Sequence, residues 1–335
     1  MKSKTTTNFS LISSAFQGRG WHQIWQQMML PMMVLSPWVG LWVTPIAQAQ
    51  ITPANDGTGS VVIQRGDLFE ISGGKLSRDG SNLFQSFQQF GLTQGQIANF
   101  LTNPTVHNIL ARVVGGDPSY INGLLQVTGS SANLYLLNPA GIVFGANASL
   151  NVPASFTAST ATGVQIGQNW LDVLGDNQYA QLMGTPSAFA FATSQPGAIF
   201  NAGNLRVEAG QSLTLLGGTI VSTGTLTAPG GSITIAAVPG QKLVRISQSG
   251  SLLSLDLPLT SSSPSNSSPL SLPALLTGGN LTGATGVMVD NGIVRLTGSG
   301  VTIPSEVGTT IVAGTLNTAS TTSTSQIQVL GKQVG

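Results

Sequence analysis

Residues able to do acid, base, nucleophile or metal chemistry are scarce in this chain of 335 residues. It has two histidines, His22 and His107, no cysteine, and 11 acidic against 12 basic side chains. One histidine beyond the first fifty residues cannot assemble a zinc centre without thiolate help. His107 follows Asn103-Pro104-Thr105-Val106 and reads as a turn or surface residue. Paired carboxylates are the other route to catalysis: a polysaccharide lyase or hydrolase needs clustered acids, for calcium or for proton transfer. Here the acids are spread thinly, with only Glu208, Asp256, Asp290 and Glu306 beyond residue 200. Asp172 and Asp176 are the closest pair on a segment that could be helical, and a solvated face explains them equally well. With 37 serines, a Ser-His-Asp set is possible by combination alone and carries no information. No catalytic residue, metal or cofactor is assigned. A carbohydrate-active parallel β-helix enzyme stays open as an alternative, on fold analogy only.

What must position such residues is an unusual chain. Charged residues make up 7%, against roughly 25% in an ordinary soluble domain. Serine and threonine (37 and 34) together with 42 glycines supply the polarity instead. At 41% hydrophobic the chain is unlike a disordered one. A net charge of +1 leaves no basic stripe for nucleic acid.

The first 49 residues read as a leader. Lys2, Lys4 and Arg19 precede any acid, an apolar run spans 28–46, and Ala47-Gln48-Ala49 fits a signal-peptidase site. The competing reading is an uncleaved anchor, since the run approaches the ~20 apolar residues that span a bilayer. Pro31, Pro37, Gly40 and Pro45 interrupt it, which favours cleavage after Ala49. The mature chain would then carry 9 basic and 11 acidic residues and would not span a membrane.

Beyond residue 50, short apolar runs alternate with Gly, Asn and Pro. Strands are expected at 61–64, 68–71, 133–137, 141–145, 205–208, 213–221, 225–228, 232–238 and 242–247. A short helix is expected at 95–101, another turn or two within 172–183, and 106–113 is open between helix and strand. After about residue 200 the strands recur every 7–10 residues with Gly or Asn at the corners. That rhythm predicts an all-β fold: a right-handed parallel β-helix, pectin-lyase-like, with N-terminal capping strands and a few short helical turns. A β-sandwich would show longer strands and more hairpin dipeptides. Residues 258–280, rich in Ser and Pro, read as a loop or linker. Further rungs are expected over 281–335, ending without a polar cap, as in a truncated relative of a longer chain.

Asn138-Pro139-Ala140-Gly141 matches a type I turn position by position. With Ile142, the following Val143-Phe144-Gly145 and the segment 147–152, it resembles the secretion domain of two-partner-secreted exoproteins, the filamentous haemagglutinin N-terminal (haemagglutination activity domain) family. Ala140 stands where that family usually has Asn. Asn103-Pro104 sits where the family has a second Asn-Pro motif, with Thr105 replacing its second Asn. Segments 83–90, 108–127 and 197–218 resemble others of the family in order, so the resemblance covers about 56–237.

The resemblance implies a secretion domain over 50–257 and the route it serves. A partner outer-membrane β-barrel transporter would recognise the unfolded chain through periplasmic domains, with Asn103, Pro104, Asn138, Pro139, Gly141 and Ile142 acting in recognition or in turn formation. The product would be a secreted or cell-surface, adhesin-like β-helix whose own partners are host or neighbouring-cell glycans or proteins.

Overall fold

A computed structural model describes residues 50–246, 252–256, 286–290, 293–297, 307–321 and 323–335. The expected leader, with Ala47 and Ala49, and the Ser/Pro-rich stretch 258–280 lie outside the described residues.

From Leu68 the chain winds as a parallel β-helix of three faces; the first turn meets the third face only at the bridge between Leu92 and Ile121, and each later turn lays one strand on each face. One turn shows the order: Leu124–Thr128 on the first face, Asn133–Leu137 on the second and Ile142–Phe144 on the third. Each then pairs in parallel with the strand one turn on: Leu124 with Ser149, Leu134 with Phe156, Ile142 with Ile199. Side chains alternate in and out along a strand, so the register stacks like on like. On the second face the inward column runs Leu83, Ile109, Leu134, Phe156, Leu213, Ile233. All six are at most 7% exposed, and burying each such side chain contributes about 1.5–3 kcal/mol. Corners are tight because successive turns stack backbone on backbone. A Cβ on Gly231 would lie 1.9 Å from the Gln211 carbonyl oxygen, which only glycine avoids.

The amino-terminal end is closed by antiparallel pairing. Ser60–Arg65 folds back on Leu68–Gly73, and Thr52–Pro53 runs along Asn82–Gln89. These are the capping strands that the sequence predicts.

Two excursions leave the coil between the second and third faces. The first departs after Phe156–Ser159 and returns at Ile199–Asn201; the second departs after Ser232–Ala237 and returns at Thr309–Val312. Strands Gly163–Ile166, Asn169–Asp172 and Pro186–Phe191 of the first join Lys242–Ile246 and Leu252–Asp256 of the second in one antiparallel sheet. Its apolar residues cluster with the outward side chains of the second face, among them Phe84, Leu110, Leu137 and Leu216, giving a second core. In the second excursion Gly286–Asp290 and Ile293–Thr297 pair only with each other among the described residues.

Several local expectations are corrected. Residues 95–101 contain the strand Ile97–Leu101, not a helix: Ala98 and Phe100 alternate into the core. Residues 106–113 resolve as the strand Asn108–Val113. The run 213–221 is two strands, Ser212–Gly217 and Ile220–Ser222, turning at a corner between faces. The strand at 242–247 belongs to the outer sheet and not to a rung. Within 172–183 there is one 3-10 turn, Tyr179–Gln181, and no α-helix, so Asp172 ends a strand instead of sharing a helical face with Asp176. The coil also begins about 130 residues earlier than its obvious rhythm.

Phe144 and Phe156 meet edge to face inside the coil, 6.1 Å between ring centres, and both are fully buried. Phe156→Ala is expected to cost about 3–5 kcal/mol, read as a lowered urea midpoint for the domain.

Candidate functional site

The two Asn-Pro corners lie at different places and make different contacts. Asn138 turns the chain from second to third face. Its carbonyl oxygen accepts from Gly141 N at 3.1 Å, closing the four-residue turn, and its Oδ1 accepts from Ala140 N at 3.0 Å. Its Nδ2 donates to the Asp117 carbonyl oxygen and to Ser119 Oγ, both at 2.9 Å, in the preceding turn of the coil. Asn138 is 1% exposed, and its bond to Ser119 Oγ is fully buried. Ala140 needs no side chain here, because the turn is closed by Asn138 and backbone. Gly141 has φ +129°, a conformation other residues rarely adopt. Ile142 points into the core.

Asn103 instead turns the chain from first to second face, and it is exposed together with Pro104 and Thr105. Its Oδ1 accepts from Thr105 N at 3.0 Å and Thr105 Oγ1 at 2.6 Å, and its carbonyl oxygen accepts from Val106 N. The corner is self-contained and its side chains face solvent. His107 follows it and is exposed, its backbone N donating to the Ser81 carbonyl oxygen.

A second constellation escaped sequence reading. Arg112, on the outward side of the second face, is only 4% exposed. Its Nη2 meets Asp56 Oδ2 at 2.7 Å, while Nη1 donates to the carbonyl oxygens of Asp172 (3.0 Å) and Gly175 (2.6 Å). Asp56 also accepts from Ser86 Oγ and, at 3.0 Å, from Thr58 N. Burial pushes the Asp56 carboxyl up, but hydrogen bonds from Ser86 and Thr58 and the Arg112 charge outweigh it, holding its pKa at about 2. The guanidinium lies 5.8 Å from the centre of the Tyr179 ring. Nothing in the sequence links residues 56, 112 and 172–179, since no motif or periodicity spans those separations.

A third feature is a polar ladder along one edge of the second face. Asn133 Nδ2 donates to Asn108 Oδ1 (2.9 Å), and Asn108 Nδ2 donates to Asn82 Oδ1 (2.8 Å). Ser155, Ser212 and Ser232 continue it through later turns.

Three further acids have structural positions. Asp172 Oδ1 accepts from Leu174 N and Gly175 N, and Glu70 pairs with Arg65 at 2.7 Å. Asp79 accepts from the Ser77 and Ser81 hydroxyls; the Ser77 bond chiefly holds its carboxyl below the usual range. Among the described residues no three His, Asp or Glu side chains gather as metal ligands would, and no helix is long and apolar enough to cross a membrane.

Comparison with known proteins gives a family. The TPS secretion domain family matches residues 49–272. Among solved structures, the HMW1 secretion domain from Haemophilus influenzae is 19% identical with a TM-score of 0.45, covering 83% of this chain and 56% of that one. The filamentous hemagglutinin secretion domain is 18% identical with a TM-score of 0.38, covering 58% of this chain and 65% of that one. The chain thus spans less than two thirds of either. No curated protein sequence matches it.

Two measurements test this geometry. Asn138→Ala should cost about 1–3 kcal/mol, from orphaned buried partners, whereas Asn103→Ala should stay within about 0.5 kcal/mol; urea midpoints give both. Folding lowers the Asp56 pKa, so its contribution is whole above the unfolded value of 3.8 and drains away as pH falls toward about 2. Asp56→Asn should therefore flatten the loss of stability across that window.

Proposed function

The chain belongs to the TPS secretion domain family, the secretion domains of two-partner exoproteins, and on that premise we propose that residues 50–257 carry export information read by a partner outer-membrane β-barrel transporter. The observation that carries this reading is the family match over residues 49–272, which starts where the expected leader ends. On this reading residues 1–49 direct passage across the inner membrane and are removed after Ala49. The transporter's periplasmic domains then bind the unfolded chain. The coil forms outside, as a secreted or surface-held protein.

Three features support the route. The chain has no cysteine, so no disulfide can close a loop too bulky to thread in an oxidising compartment. Few charges leave little to hold a non-native compact state. The inward residues are supplied locally, strand by strand, as a coil folding on emergence requires.

The two corners divide the work. Asn103, Pro104 and Thr105 make few bonds to the rest of the folded chain, so recognition of the unfolded chain is the role left to them. Asn138, Pro139, Gly141 and Ile142 serve the folded coil. Adhesion to host or neighbouring-cell glycans or proteins is the proposed role of the displayed surface, whose polarity comes from hydroxyl and amide groups.

Co-expression with and without the transporter tests the proposal, with the chain assayed in the medium and on the cell surface. Export should require the transporter. Asn103→Ala with Pro104→Ala should lower export several-fold at unchanged stability, while loss of export in Asn138→Ala should track lost stability. Equal release without a transporter would overturn the reading.

A further inference from the structure

The amino-terminal turns of the coil lack, within their own residues, the partners that their buried polar groups need. Asn82 is fully buried, and its Nδ2 donates to the carbonyl oxygens of Leu182 (2.8 Å) and Gly184 (2.9 Å), about a hundred residues on. Arg112 takes its carbonyl partners from Asp172, Val173 and Gly175, about sixty residues on. Arg78 N donates to the Ala180 carbonyl oxygen at 3.1 Å, and Thr58 Oγ1 lies 3.0 Å from the Tyr179 hydroxyl.

Apolar cover follows the same pattern. Phe84, Leu110 and Leu137 point outward from three successive turns, yet each is at most 1% exposed. They pack in the cluster that holds Val164, Ile166, Leu171, Leu182 and Phe189 of the first excursion, and the Phe84 ring lies tilted against that of Tyr179, 5.1 Å between centres. Without that excursion these turns would expose aromatic and aliphatic surface and leave a guanidinium and an amide half satisfied. A dry polar group without its partner is expensive, and closing a long loop costs entropy before any contact repays it.

Two contacts between later turns are short in sequence. Asn204 pairs with Thr225, 21 residues on, and Ser232 Oγ donates directly to Ser212 Oγ.

We propose that the first excursion is a folding gate: the turns built from residues 68–144 become stable only once residues 160–191 dock on them, so the amino-terminal end cannot fold ahead of the chain that follows. In export, on the reading given above, this keeps the leading part of the chain unfolded until more than a hundred further residues are free. The coupling itself belongs to the isolated chain and is tested without a transporter, so its failure and the failure of the export reading are distinct results.

The test is refolding of residues 50–335 from urea, with pulsed hydrogen exchange read by mass spectrometry. Amides of Asn82–Gln89, Asn108–Val113 and Asn133–Leu137 should gain protection in the same phase as those of Gly163–Ile166 and Pro186–Phe191. Protection of the first group in an earlier phase would overturn the proposal. Leu171→Asp changes no residue of these turns but spoils the core they share with the excursion, and should lower their protection at least about a hundredfold. Full protection of the turns in that variant would also overturn it. Should the variant not fold at all, the order of phases in the unsubstituted chain decides.

Discussion

One nearly dehydrated charge sets the terms for the amino-terminal half of the molecule. Arg112 is always ionised and is 4% exposed, so its place on the second face is tolerable only if partners arrive from outside the coil. They come from two directions: the Asp56 carboxylate from the capping segment, and backbone carbonyls from the first excursion. Cap, coil and outer sheet are thereby joined at a single side chain. The neighbouring Asn82 repeats the arrangement with neutral groups.

Other contacts of the coil run between adjacent turns. Inward columns stack by register, and the ladder from Asn82 to Ser232 satisfies outward polar groups turn by turn. That contrast explains why the two Asn-Pro corners, alike in sequence, differ in consequence. Asn138 reaches back to the preceding turn and is part of the stacking, whereas Asn103 serves only its own corner. The same turn chemistry thus yields one structural corner and one that stays available at the surface.

Sequence pattern reveals what is local and hides what is remote. The strand Asn133–Leu137, the turn after it and the 21-residue spacing late in the coil are legible because turn residues and apolar alternation act over a few positions. Earlier turns are less so, since spacings such as Ile97 to Leu124 are longer and irregular. Ile97–Leu101 suggests a helix until its parallel pairing with Leu124–Thr128 shows a strand. The excursions are hidden for another reason: Lys242–Ile246 has the same β-rich composition as a rung strand, and only its antiparallel partners, Pro186–Phe191 and Leu252–Asp256, tell them apart. The Arg112–Asp56 pair is 56 residues apart in sequence, with no periodicity to mark it.

The account therefore turns on whether Arg112 and Asp56 act as a coupled pair or as two independent surface charges. A double-mutant cycle with Arg112→Met and Asp56→Asn, read by equilibrium urea unfolding at neutral pH, measures this most directly. A coupled, largely dry pair predicts an interaction of about 1.5–3 kcal/mol, as for hydrogen bonds to charged groups. A coupling within about 0.3 kcal/mol of zero, as for an exposed pair, would contradict the central role given to Arg112.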